Sequence, residues 1–144
     1  MDLARRLQLE DNLLRRHFYG FRIQDLQGGP NLGVVGTLTT NSARRYSLWI
    51  PLERFPGQAP RMYVVSPLLN DHKGNPLWEQ GVRSDMHLLS ANEHRHVQIC
   101  HYQDSHWSID VTLYKVVMKG RIWLEAYESH LRTGNTIDYY LGHM

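Results

Sequence analysis

Cysteine occurs once in this 144-residue sequence, at position 100, and five of the nine histidines, at 87, 94, 96, 101 and 106, surround it. A thiol reacts as its thiolate, so it needs either a lowered pKa or a neighbouring base, and imidazole can serve both ends. Three chemistries draw on these same residues. Cys100 can form a thioester. It can pair with a histidine as a hydrolase, which further needs an Asn or Asp to orient the ring and donors for an oxyanion. Alternatively, His94, His96 and Cys100 or His101 can hold a metal, because His-x-His in a strand presents both rings on one face. The plain alternative for a lone Cys is a small buried hydrophobe. The histidines follow no recognised ligand spacing, and nothing in the sequence supplies the orienting residue.

The single Cys rules out an internal disulfide framework and any zinc cluster built only from cysteines, and a reducing compartment is its simplest setting. Sixteen Lys and Arg against 14 Asp and Glu leave a formal charge of +2, which gives no reason to expect nucleic-acid or membrane binding. No apolar run approaches the roughly 18 residues of a spanning helix. The start MDLARRLQLEDNLL breaks into charge where a signal peptide needs an apolar stretch, so a cytoplasmic protein is expected. Length and a 42% hydrophobic content fit one domain over 1–144.

The elements that must position Cys100 are read from periodicity. Leu3, Leu7, Leu14 and Phe18 share one helical face, with Arg5, Arg6, Arg15 and Arg16 largely elsewhere, which predicts an amphipathic first helix. Runs at Phe21–Leu26, Gly33–Thr40, Tyr46–Leu52 and Met62–Val65, separated by turn residues, predict a four-stranded antiparallel meander. From about 66 to 90, Pro67, Asn70, Asp71, Gly74, Asn75, Pro76 and Gly81 mark a long loop around an apolar island at Leu77-Trp78. After Cys100, Leu113, Val117, Leu124, Tyr127 and Leu131 form one stripe of a long helix. Ser108 or Asp110 would cap its start, Gly134 its end, Glu128 and Arg132 would pair on its surface, and Gly120 would allow close approach to a neighbour. Trp49 and Trp123 are expected in the core. The tail from Thr136 to Met144 is apolar enough to fold back on the domain or meet a partner. The fold class is α+β.

Three segments in this order resemble the ubiquitin-conjugating (E2) enzymes. Phe55-Pro56-Gly57-Gln58-Ala59-Pro60-Arg61-Met62 is similar to their Tyr-Pro-Phe-x-Pro-Pro-x-Val segment, Ile99-Cys100 to their active-site Ile-Cys step, and Trp107-Ser108-Ile109-Asp110-Val111-Thr112-Leu113 to their Trp-Ser-Pro-Ala-Leu-Thr-Ile run. The resemblance covers roughly residues 3 to 130 and implies a ubiquitin-conjugating-enzyme (UBC)-like fold with Cys100 as thioester nucleophile. Three departures are evident. The stretch from Pro60 to Cys100 is longer than in the family, which makes about 66–90 an insertion, the His-Pro-Asn tripeptide is missing, and Trp107-Ser108 is followed by Ile109 rather than Pro, which bears on how the helix starts.

Asn92 or His87 stands near the place of that tripeptide, Asn92 being either an oxyanion donor or a plain turn residue. Together with His101, a candidate base or thiolate partner, these complete the expected catalytic set of Cys100, Asn92, His87 and His101. Such divergence is similar to bacterial E2-like proteins of antiphage cyclic-oligonucleotide (CBASS) operons. The implied acyl donor is a nucleotidyltransferase (CD-NTase) or a ubiquitin-like protein, with an E1-like activating enzyme meeting the arginine-rich first helix. No cofactor or metal is implied. An E2-like module that only binds is the alternative.

Overall fold

The computed structural model describes residues 1–142. Helix α1 spans Leu3–His17 and opens where Asp2 accepts the Arg5 N–H at 2.7 Å. It is followed by strands β1 (Arg22–Gln24), β2 (Gly33–Thr39), β3 (Arg45–Pro51) and β4 (Met62–Ser66), then β5 (Leu88–Leu89) and β6 (Val97–Ile99), and by helices α2 (Leu113–Thr133) and α3 (Ile137–Leu141). The chain is therefore α+β, with six antiparallel strands in the order β1-β2-β3-β4-β6-β5. This corrects the expected four-stranded meander. The two added strands are two and three residues long, too short to carry a readable alternation, and they form only because β4 offers Met62, Tyr63 and Val64 as partners for Ile99, Gln98 and Val97.

Alternation along the strands builds the core. Ile23, Val34, Leu38, Leu48, Ile50, Met62, Val64 and Ile99 are buried on one side of the sheet, together with Leu113, Val116, Val117, Trp123 and Leu124 of α2. A Cβ built on Gly120 would stand 2.6 Å from Met62 Sδ, so any side chain there would have to displace the buried Met62 thioether between α2 and β4. Trp49, by contrast, is half-buried, its ring lying over Gly33. It sits one step out of phase with buried Leu48 and Ile50, and period-2 geometry sends it to the opposite side.

Polar side chains tie the layers. Glu10 and Asp11 of α1 are buried and accept the Leu113 and Ile23 N–H groups, each at 2.8 Å. Arg6 pairs with Glu10 and donates to the Ile109 and Val111 carbonyls, so it belongs to the α1–α2 joint, and Arg15 pairs with Asp11. Leu3 departs from the expected stripe and is half-exposed. Thr112, not Ser108 or Asp110, caps α2 by accepting from Lys115 N. Glu128 does not pair with Arg132. It points inward to accept from Thr40, Ser42 and Tyr46, each at 2.7 Å.

The 66–90 segment is held by its own side chains and by the core. Asp71 accepts the Lys73 and Asn75 N–H groups and a Gln80 amide bond, while Leu69, Leu77 and Met86 are buried. His130 fixes the segment to the end of α2: its Nε2 accepts from His72 N at 3.1 Å, which leaves Nδ1 to donate to Asn135 O at 2.7 Å. Gly134, in the left-handed region at φ 79°, closes α2 and turns the chain into α3. Of the Thr136–Met144 tail, α3 packs back on the domain through fully buried Ile137, while His143 and Met144 lie outside the described residues. Among the described residues no helix is long and apolar enough to cross a membrane.

Candidate active site around Cys100

The ladder between β5 and β6 pairs Leu88 with Ile99 and continues one step further, where Cys100 N donates to His87 O at 2.9 Å. Cys100 and His87 are thus backbone neighbours at the end of the β5–β6 ladder. Alternation sets the side chains apart: Ile99 and His101 are buried, and Cys100 between them is half-buried and lines an open cavity.

That cavity, of about 440 Å³, brings Cys100 together with His87, Ser84, Asp85, Gln103 and Asp138. His87 ends a short 3-10 turn at Ser84–Met86 in the left-handed conformation, φ 50°, which a β-carbon disfavours by roughly 1–2 kcal/mol. Its Nε2 lies 2.8 Å from Asp138 Oδ1, a partner 51 residues away. The α2–α3 turn delivers this carboxylate: Ile137 anchors α3, and Thr136 caps it by accepting from Tyr139 N. Asp85 is engaged at both oxygens by Arg83, at 3.0 and 2.6 Å. Hydrogen bonding to Arg83 holds the Asp85 carboxyl below its ordinary range. The Cys100 thiol is pushed up, mainly by burial and secondly by the Asp104 charge.

The other expected site residues are placed elsewhere. Asn92 is not part of the cavity. Its Oδ1 accepts the His94 and His96 N–H groups at 2.9 and 3.0 Å and closes a tight turn with Arg95 at φ 64°, the bonding of a turn residue. His101 is buried in the core against Tyr102, and burial drives its pKa down to about 4. It is neutral, and the structure does not bring it to the cavity. His94 and His96 sit in that turn rather than in a strand, their ring centres 5.7 Å apart, and His96 is held below the usual imidazole range by burial and by His94. His106 is exposed on a 3-10 turn at Asp104–His106. Among the described residues no group of three or more His, Cys, Asp or Glu side chains is placed to hold a metal.

Asp138 was not legible beforehand, since Thr136-Ile137-Asp138 carries no signal beyond that of a helix start. Gln103, a neutral amide on the cavity rim, was likewise unmarked. Two segments that carried the resemblance do meet: Trp107 Nε1 donates to Pro56 O at 2.8 Å, and its ring meets Phe55 edge-on at 6.2 Å. Arg6 lies over the same Phe55 ring at 4.9 Å. A larger groove of about 700 Å³ runs along α1 beside Ile109 and Asp110 and contains no cysteine or histidine. Taken together, the cavity holds a thiol, an imidazole and a carboxylate, the residue types of nucleophilic acyl chemistry. Comparison of the chain with protein-family models, curated proteins and solved structures finds no match.

Proposed function

We propose that the chain is an E2-like acyl carrier with a UBC-like fold, which accepts an activated C-terminal acyl group on Cys100 as a thioester and passes it to an amine. The observation that carries this reading is the half-buried Cys100 in an open cavity beside His87, at the end of a sheet strand and ahead of a long helix. The junction of Phe55-Pro56 with Trp107 supports the resemblance to the family. The acyl donor in this reading is the C-terminus of a nucleotidyltransferase (CD-NTase) of antiphage CBASS defence, with a ubiquitin-like protein as the other donor of the same chemistry. An activating enzyme would meet α1, where Arg5 and Arg16 are exposed and Arg6 and Arg15 are already paired internally.

The raised thiol pKa bears on both halves of such a reaction. In exchange between two thiols the acyl group favours the less acidic sulfur, because the more acidic thiolate is the better leaving group. Cys100 therefore retains an acyl group well once loaded and needs help to lose a proton first. Gln103 takes the place of Asn92 as the amide able to donate to a tetrahedral oxyanion.

The test is intact-mass analysis after incubation with a CD-NTase or a ubiquitin-like protein and its activating enzyme. A thiol-labile adduct on Cys100, replaced in Cys100→Ser by an ester that survives thiols, is the expected result. No adduct on either protein would sink the reading. The same raised pKa favours a second reading, a non-catalytic E2-like binding module, which predicts partner binding with no adduct.

A further inference from the structure

We infer that His87, positioned by Asp138, is the base that takes a proton from a lysine-type amine attacking acyl-Cys100. This rests on the thioester reading above, whose lysine acceptor is what the resemblance to the family implies, and names the residues on the proton path in the same cavity.

Three separate segments converge there. His87 leaves the Ser84–Met86 turn with its side chain only 11% exposed, Cys100 follows β6, and Asp138 arrives on α3 with its carboxylate 52% exposed. With Nε2–H donating to Asp138 Oδ1, Nδ1 of His87 bears the lone pair, the arrangement in which a carboxylate fixes an imidazole's tautomer and orientation. The polar and titratable groups that line the cavity with His87 are Asp138 from α3, Ser84 and Asp85 from its own turn, and Cys100 and Gln103 after β6, and of these Asp138 is hydrogen-bonded to it. Asp85 is held by Arg83, and Asp104 acts on the thiol. Orientation of the ring therefore falls to Asp138.

The lining suits that acceptor. Val82 and Leu89 are exposed apolar walls of the cavity, and Asp138 sits with them. A four-carbon stem covers apolar wall while its cationic end meets a carboxylate, which describes a lysine side chain. An ammonium group first gives one proton to solvent. As the amine nitrogen bonds to the carbonyl carbon, it gives a second proton to His87. The carbon–sulfur bond then breaks, and Cys100 Sγ leaves and takes that proton from the imidazolium. Its raised pKa makes it a strong base for this return step.

The experiment acylates the full-length protein with the acetyl thioester of mercaptoethanesulfonate, verifies acyl-Cys100 by mass, and discharges it with Nα-acetyl-lysine amide at about pH 8, where an unassisted lysine amine is still mostly protonated. Hydroxylamine, whose amine is neutral and needs no base to attack, is the control. Asp138→Asn and His87→Gln are each loaded until mass shows the same acyl-Cys100 occupancy as in the unaltered protein, and hydroxylamine is expected to release that acyl group from all three. Both lower the limiting rate of lysine discharge roughly 10- to 100-fold, with KM little changed. Asp138→Glu is expected to recover part of the rate lost in Asp138→Asn. Asp138 is half-exposed, so its variants carry the test even if His87→Gln unfolds. Loading followed by unchanged lysine discharge in these variants overturns this inference alone. Absence of acyl-Cys100 in the unaltered protein overturns it together with the thioester reading.

Discussion

The Glu10 carboxylate of α1 accepts the Leu113 N–H at the start of α2 at 2.8 Å, while its other oxygen holds Arg6 at the same distance. One helix thus satisfies an orphan donor of another, 103 residues away, inside the core. Glu10→Ala leaves that N–H and the Arg6 guanidinium without their carboxylate and is expected to cost about 2–3 kcal/mol. Urea unfolding of the two proteins checks this, and a loss under about 0.5 kcal/mol, the range of an ordinary surface change, would show that water replaces the carboxylate at no cost.

Glu128 faces inward from α2 to Thr40, Ser42 and Tyr46. Burial pushes its pKa up, but the hydrogen bonds from Ser42, Tyr46 and Thr40 together outweigh it and the carboxyl is held low. A folded pKa below the unfolded one means that stability is present above the unfolded value, near 4.5, and is lost as pH falls through the folded one. Glu128→Gln is expected to cost about 2 kcal/mol at pH 7, with the gap to the unaltered protein closing on acidification below about pH 4.5. Chemical denaturation at several pH values measures the gap.

His101 is neutral in the core, its pKa down to about 4 from an ordinary 6.5, chiefly through burial. The unfolded chain binds its proton more readily, so stability is full above pH 6.5 and falls as pH drops towards about 4. Between pH 7 and 5 this amounts to about 2 kcal/mol, and His101→Leu is expected to remove that part of the slope. Because His101 Nε2 is buried without a hydrogen-bond partner among the described residues, the substitution should cost little at pH 7. An unchanged slope in His101→Leu would assign the acid sensitivity to other groups.

Cys100 has its thiol raised by burial first and by Asp104 second. Its thiolate fraction at neutral pH is therefore lower than that of an exposed cysteine, and iodoacetamide should alkylate it several-fold more slowly than glutathione at pH 7.5. Asp104→Asn removes the smaller cause and should speed alkylation roughly two- to threefold, with the pH profile moving to lower pH. A thiol faster than glutathione would mean that a cation or base acts on Cys100 in solution.

The elements with enough length to repeat a pattern were legible in the sequence. The apolar stripe of α1, the strands β2, β3 and β4 and the 21-residue α2 follow from periods of 3.6 and 2, because each residue's side is decided by its near neighbours. Cys100 was also legible as the one thiol in the sequence. Tertiary structure alone decided the rest. β5 and β6 exist because β4 had an open edge, and Glu128 turned away from Arg132 because three hydroxyls of distant segments offered it more. Asn92 was drawn into its own turn, and His101 was carried into the core by the same alternation that exposes Cys100. Asp138 reached His87 by the path of α2 and a left-handed Gly134 across 51 residues, a contact that no local spacing encodes. Periodicity fixes which side of its element a residue occupies, whereas a site built from three segments depends on where the whole chain carries them.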